Sequence, residues 1–474
     1  MHNRTTEIVF PYPDEIREYF AFRVHNYRHM PAYRNHGWDG SITLMKGSEV
    51  PTGLFLVVRE EIEKGLNVSF RVKDRRTIPE FTPTFRPLKG YEVRQVQTDA
   101  VNAMISNAAT GGIVINATGT GKTATAGIFF SRLVGKAVFV VNELSLLAQA
   151  REELSRVLGE QVGFVGDGVY KPKRITVATA QTMQLHGQSE RFEKWKKSLS
   201  VMVIDELHEM LNGRQFQIAD MYLPQTVYGL TATLEMKRED VRYKAHALCG
   251  PKIFSYEYAD AVKAKHLTPG VVVGVDLRRE ILFDPEQQTP AEVYAKYIAK
   301  SKERNNLVES LVREALDRKR TVAVLVERLD HLRFLSRRLA DIPHRVVCGR
   351  VTWQDRREAV AEMESQDVRL ILANRVFKKG VNVKKLDCII DAASTANGND
   401  ARQKFGRGVR LNPDKNGLIY VDIGDSPRRL GEKNLYQKGT KIRRKSLRDQ
   451  KIIVRQALTT DPKEVFDLAF RLLK

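Results

Sequence analysis

Cysteine is scarce in this sequence. Cys249, Cys348 and Cys388 are the three thiols in 474 residues, and no two of them form a C-x-x-C pair. Structural zinc, iron–sulfur clusters and a disulfide framework are left without ligands, and a reducing, cytoplasmic setting fits better. Long apolar runs are missing too. None approaches the roughly 20 residues needed to cross a bilayer, so no membrane partner is expected. Residues 1–15 carry three acids, one basic residue and no apolar core, which argues against a signal peptide. Acid is the remaining deficit: 57 Asp+Glu stand against 78 Lys+Arg, a formal charge of +21. An imbalance of that size favours a polyanionic partner, most often nucleic acid, with plain solubility as the alternative. At about 150 residues per domain, the length allows about three domains, each with its own core.

Patterning supplies the organisation. Residues 1–88 read as a small mixed α/β unit. Within it, residues 14–24 (DEIREYFAFRV) carry a helical apolar spacing, 53–59 (GLFLVVR) fit a helix or a buried strand, and 67–72 (NVSFRV) alternate like a strand. Pro79, Pro83 and Pro87 then punctuate an extended linker. From 89 to 262, short apolar runs at 112–116, 137–141, 175–178, 201–204 and 227–230 alternate with helical stretches. Continuous β-branched runs between helices predict strands buried on both faces, hence a parallel doubly wound sheet. The same grammar restarts at 271–275 and recurs at 321–326, 345–347, 369–373, 388–390 and 418–421. A second α/β unit over 263–425 is the economical account. Residues 426–455 hold 11 Lys+Arg against two acids. That segment reads equally as a solvated face or as a nucleic-acid contact, and the extension 426–474 is expected to pack on the second unit.

The run GIVIN (112–116) leads directly into Ala117-Thr118-Gly119-Thr120-Gly121-Lys122-Thr123 and then a helical stretch. A phosphate-binding loop needs this strand–loop–helix context. Glycines let backbone N–H groups turn inward, the helix N-terminus offers its positive end, Lys122 reaches the β/γ-phosphates of ATP, and Thr123 ligates magnesium. The strict pattern has Gly or Ala where this chain has Asn116. Some 80 residues on, the run VMVI ends in Asp205-Glu206-Leu207-His208. Carboxylates at the end of a parallel strand sit at the mouth of the sheet, where Asp205 can hold magnesium and Glu206 can deprotonate the attacking water.

These motifs, followed by Thr231-Ala232-Thr233 and by residues 403–410 (QKFGRGVR), resemble the superfamily 2 DExH helicases over about 89–425. The resemblance implies an α/β fold of two tandem RecA-like parallel-sheet domains (89–262 and 263–425) behind a small N-terminal α/β domain (1–88). It implies further roles, position by position. Arg94 and Gln97 resemble the adenine-recognising segment. Residues 141–149 and 179–182, with Thr179 and Gln181, resemble segments that contact a nucleic-acid backbone. His208, Thr231, Thr233 and Gln403 correspond to coupling positions between hydrolysis and the nucleic-acid groove. Val326-Glu327-Arg328 resembles motif IV, with Arg328 a nucleic-acid contact. Residues 373–383 resemble motif V and keep Gly380 at the nucleotide, although Asn374 and Asn382 depart from the usual residues. Arg407 and Arg410 resemble the arginine-finger pair.

Trp38-Asp39-Gly40 and Pro51-Thr52-Gly53-Leu54 are similar to the small N-terminal domain of phage recombination helicases of the UvsW type. That resemblance implies a DNA-binding role for this unit, with Trp38 in contact, and a substrate of branched DNA: forks, junctions and hybrids containing RNA. The unit's charge alone does not imply it, since 1–88 carries 13 basic and 11 acidic residues. The expectation is therefore an ATP- and Mg2+-dependent DNA helicase or translocase acting on single-stranded and branched DNA. An RNA helicase and a nucleic-acid-stimulated ATPase without processive unwinding are the competing readings.

Overall fold

The apolar runs become parallel strands, and those strands arrange the candidate site. The computed structural model describes residues 1–10, 13–83, 92–186, 189–212, 216, 224–284, 286–349, 351–374, 383–429 and 431–474. The chain divides into two compact units, Met1–Ala117 with Gly121–Tyr256, and Glu257–Lys474 with Thr118–Thr120.

The first unit begins with two small antiparallel pairs. β1 (Thr5–Glu7) pairs with β4 (Glu49–Pro51), and β2 (Ala21–Arg23) with β3 (Ser41–Thr43). Helix Thr52–Gly65 settles the ambiguous run at 53–59 as helical, and it presents Leu54, Phe55, Val58 and Ile62 inward. These residues share a core with Ile16, Phe20 and Phe22, and with Tyr243 and Ala247 of helix Glu239–Cys249. Two sequence expectations fail here. The helix expected over 14–24 is Pro13–Glu18 alone, because the chain turns at Tyr19–Phe20 to enter β2. The strand expected at 67–72 is absent. Its alternation is real, but among the described residues no strand pairs with it. Helix side chains take up its backbone instead: Glu63 accepts from the Phe70 N–H at 3.0 Å, and Arg59 donates to the Phe70 carbonyl at 3.3 Å.

The main sheet of this unit has eight strands: β5 (Gly112–Asn116), β6 (Lys136–Val141), β7 (Gly163–Gly166), β8 (Val169–Lys171), β9 (Ile175–Thr179), β10 (Leu199–Ile204), β11 (Thr226–Thr231) and β12 (Lys252–Tyr256). Their spatial order is β12-β5-β11-β10-β6-β9-β7-β8, and every pairing is parallel except the β7–β8 hairpin. Alternate residues of β5 enter opposite cores, Ile113 on one face and Val114 on the other. Because β5, β11 and β10 are neighbours, the three segments that follow them emerge side by side at the carboxyl edge, where ligands bind in such sheets.

The second unit has seven strands, all parallel: β13 (Gly270–Arg278), β14 (Val322–Leu325), β15 (His344–Val347), β16 (Leu370–Ala373), β17 (Cys388–Asp391), β18 (Leu418–Ser426) and β19 (Ile453–Gln456). Their order is β15-β16-β14-β17-β18-β13-β19. The basic extension contributes to this sheet: β19 pairs with β13, and helix Pro462–Leu473 buries Val465, Phe466 and Ala469. The short apolar run Ile452-Ile453-Val454 that marks β19 is absent from the strands expected above. All three cysteines are buried and unpaired, and burial pushes the Cys249 thiol up to about 12. Among the described residues no helix is long and apolar enough to cross a membrane.

Candidate functional site

The candidate phosphate loop leaves β5 and enters helix Lys122–Arg132 through Gly121, with Gly119 and Gly121 at φ +92° and +88°. Side chains rarely adopt that left-handed backbone, which is why glycine occupies both positions. Thr120 is buried, whereas Thr118 and Thr123 keep partial exposure. Thr125 anchors the turn by donating to the Gly121 carbonyl at 3.1 Å. Asn116, the departure from the strict pattern, is buried, and its Oδ1 has no hydrogen-bond partner among the described residues.

From β10 the chain turns sharply at Glu206, which takes φ +47°, and the Asp205 Oδ1 accepts the Glu206 N–H at 3.0 Å. Lys122 Nζ lies 3.3 Å from Glu206 Oε1. Lys122 and the Asp205-Glu206 pair thus lie in one polar cluster. Asp205 keeps a part-exposed edge, yet protein atoms surround it. Burial, and then the Glu206 carboxylate, raise its carboxyl well above the usual range, with Lys122 pulling the other way.

His208 and Thr231 extend this cluster to the segment after β11. His208 Nδ1 stands 3.0 Å from Thr231 Oγ1 and 3.5 Å from Glu206 Oε2. Thr231 Oγ1 donates to the Thr233 carbonyl at 2.8 Å. A hydroxyl has one proton, so with that proton committed, His208 Nδ1 must be the donor to Thr231. Lys122, Glu206, His208, Thr231 and Thr233 form one polar chain. Asn142, after β6, also belongs here, since its Nδ2 donates to Glu209 Oε2 at 3.0 Å. The sequence placed Asn142 in a motif but gave it no part at this site, because its partner lies 67 residues away.

Other expected residues take separate positions. Arg94 caps helix Gln95–Ser106, and its N–H donates to the buried Gln97 Oε1 at 3.1 Å. Thr179 is 1% exposed, and its hydroxyl donates to Thr182 Oγ1 at 2.9 Å. The turn uses that hydroxyl, so of the pair Thr179 and Gln181 only Gln181 faces solvent. Trp38 is half-buried, and its indole N–H donates to the Ser41 carbonyl at 2.6 Å. Arg328 caps helix Leu329–Arg338 and pairs with Asp330 at 3.1 Å. Gly380 and Asn382 lie outside the described residues. Asn374 is described at the end of β16, where its N–H donates to the Val347 carbonyl at 3.4 Å.

In the second unit, helix Gly398–Gly408 carries Gln403 and Arg407 one turn apart on a part-exposed face, and Arg410 follows its end. Its buried side is held by Lys404, whose Nζ reaches Asp391 at 2.9 Å and Asp400 at 3.4 Å. Burial opposes charge on Asp391, but Lys404 and then Arg443 pull its carboxyl down to about 2. Lys415 donates to the carbonyls of Gly408 and Arg410, which closes the end of the helix. A cation there is favoured by the helix dipole.

No group of three or more metal-ligating side chains occurs among the described residues. A magnesium ion keeps several waters and takes one or two protein ligands together with substrate phosphates. One carboxylate, Asp205, and the Thr123 hydroxyl match such a donor set.

Comparison with known proteins agrees with this architecture. Residues 90–236 match the model for the type III restriction enzyme res subunit, and 303–412 match the helicase conserved C-terminal domain. The DNA 3'-5' translocase XPB2 of Sulfurisphaera tokodaii is 24% identical over 381 residues, covering 72% of this chain and 84% of its own. Among solved structures, S. cerevisiae Dbp5 bound to RNA and ADP BeF3 aligns over 82% of this chain and 95% of its own, at 12% identity and a TM-score of 0.58. The T4 UvsW structure covers 96% of this chain and 97% of its own at 16% identity, but its TM-score of 0.44 adds nothing to the fold assignment. The two model matches follow one another in sequence order, one on each parallel-sheet unit, and with the translocase relative they make the chain similar to ATP-dependent helicases that bind nucleic acid.

Proposed function

We propose that this chain is an ATP-driven motor on DNA that unwinds or branch-migrates forks, junctions and R-loops in recombination, repair or replication. The observation that carries the reading is the polar chain from Lys122 through Glu206 and His208 to Thr231. It gives the phosphate-loop lysine a direct line to the segment after β11. In this reading ATP lies on residues 117–121, with Arg94 and Gln97 beside the adenine and Gly380 near the nucleotide. Thr123 and Asp205 would hold magnesium, which when bound would supply charge neutralisation at the phosphate oxygens. Lys122 leaves Glu206 for the β/γ-phosphates, which releases the carboxylate to take a proton from the attacking water. His208 and Thr231 pass the change at Glu206 to Thr233. The planar guanidinium groups of Arg407 and Arg410 stabilise the charge developing on the γ-phosphate, and Gln403 joins His208, Thr231 and Thr233 as a coupling position.

The choice of DNA rests on the +21 charge, on the relative named a DNA translocase, and on Trp38 with its small N-terminal unit, residues 1–88. Gln181 and Arg328 join Trp38 as proposed contacts, and the buried, unpaired cysteines suit a cytoplasmic protein. The test is ATP turnover with single-stranded DNA, duplex, fork, four-way junction and RNA side by side. Greatest stimulation by the fork or junction supports the reading. Stimulation by RNA alone replaces it with an RNA helicase, and no stimulation by any branched substrate removes it.

A further inference from the structure

Helix Gln437–Arg448 (QKGTKIRRKSLR) contains six cations and no acid, and it lies beyond both matched helicase domains. The fold sorts those cations into two sets. Arg443 and Arg444 point inward. Arg443 Nε meets Asp422 at 2.9 Å, and Arg444 meets Asp422 and Asp276 at 2.7 Å each. The helix is seated closely enough that a Cβ on Gly274 would stand 2.5 Å from the Arg444 guanidinium carbon. On the next turn, Ser446 donates to the Gly398 carbonyl at 2.9 Å. Its rotation is therefore fixed.

Lys438, Lys441, Lys445 and Arg448 point outward and are exposed, and none has an ion-pair partner among the described residues. At about 100° per residue they fall within an arc of about 80°, and at about 1.5 Å per residue they span about 15 Å. We propose that this stripe is an accessory docking surface for the phosphate backbone of duplex DNA. The proposal rests on the DNA-motor reading above and adds a second contact region to it. A duplex carries about one negative charge per 1.7 Å of its axis, so a straight row of four cations meets a dense line of phosphates. Single-strand sites usually combine cations with aromatic side chains that stack on bases, and this helix has no aromatic residue. Duplex is therefore the better complement.

The experiment compares the full chain with the variant K438Q/K441Q/K445Q/R448Q, and with K441Q/K445Q should the fourfold change disturb folding. Affinity for a blunt duplex and for a single strand is measured across a salt series, with melting temperature as the folding control. Each lost phosphate contact lowers the slope of log affinity against log salt by about 0.9. The expected result is a duplex slope shallower by about 3–4 for the fourfold variant and about 2 for the double one, with single-strand affinity changing less than about twofold. Lys438→Arg, Lys441→Arg and Lys445→Arg together should retain the duplex slope. A duplex slope equal to wild type overturns the proposal and leaves a solvated face or a protein-docking face. Equal losses on both ligands overturn it in favour of strand tracking. Wild-type ATPase that no DNA stimulates defeats the motor reading instead, independently of the stripe.

Discussion

His331, in helix Leu329–Arg338, gives the second unit a calculable sensitivity to acid. Its ring is fully buried, and Nε2 lies 2.9 Å from Asn305 Oδ1. Asn305 is oriented by its own amide, which donates to the Ala299 carbonyl at 3.0 Å, so Oδ1 accepts and Nε2 carries the proton. Nδ1 has no hydrogen-bond partner among the described residues, and a second proton there would be a buried donor without an acceptor. Burial, and then the charge of Arg304, lower the imidazole to about 4 from 6.5, with Asp330 opposing weakly. Above pH 6.5 the ring is neutral in both states and contributes no pH dependence. As pH falls through 6.5, the unfolded chain takes up a proton that the folded chain refuses, so stability drops until about pH 4. At pH 5 the unfolded ring is about 30:1 protonated and the folded ring about 1:10, which amounts to a loss of about 2 kcal/mol. The assay is urea unfolding of wild type and His331→Gln at pH 7.5 and pH 5. The variant should lose about 2 kcal/mol less than wild type over that interval. Equal losses in the two proteins would refute the reasoning.

Three further expectations concern the site and its support. Glu206→Gln should retain ATP binding while turnover falls about 10²–10⁴-fold; steady-state ATPase with a nucleotide-binding titration reads both, and turnover near wild type would remove Glu206 as the base. Arg407→Ala should cut nucleic-acid-stimulated turnover by about 10³–10⁵-fold, and Arg407→Lys should rescue it poorly because lysine lacks the planar fork. Near-normal stimulated rates in the alanine variant would sink the arginine-finger assignment. Gly111→Ala places a Cβ 2.0 Å from the Val227 carbonyl oxygen at φ +88°. Chemical denaturation should show a loss of about 1–3 kcal/mol from the overlap, and an unaffected midpoint would mean that the β5–β11 junction relaxes freely.

Residues 112–123 and 201–208 were legible because each motif is contiguous. Strand, loop and helix follow one another within a dozen residues, and backbone geometry alone then fixes where Lys122 and Asp205 stand. Thr231 was legible as a motif, but its hydrogen bond to His208 was not, since it spans 23 residues and depends on β10 and β11 being neighbours. The same reason hid the buried polar cluster of the second unit. Arg304 has no exposure and binds Asp425 at 2.9 Å, and Arg279 meets the same carboxylate at 2.7 Å, across separations of 121 and 146 residues. In the sequence these arginines are indistinguishable from surface charge. Residues 67–72 mark the opposite failure, a correct periodicity whose interpretation needed a neighbouring strand that is absent among the described residues.

The position of β13 has a consequence for how the chain is made. Its two neighbours, β18 and β19, are both encoded later, and β18 begins about 140 residues after β13 ends. At about 5–20 residues per second on the ribosome, that interval lasts on the order of ten seconds. Throughout it, the valine-rich run 270–275 (GVVVGV) is a nascent strand with both edges open, the state in which chains pair with the wrong partner. The first unit has a comparable wait at β5, whose neighbours β11 and β12 are both encoded later, but that wait ends at Tyr256, before β13 is translated. Slowing elongation between residues 279 and 417 should therefore lower soluble yield mainly through the second unit, and a holdase chaperone that covers apolar segments should restore it.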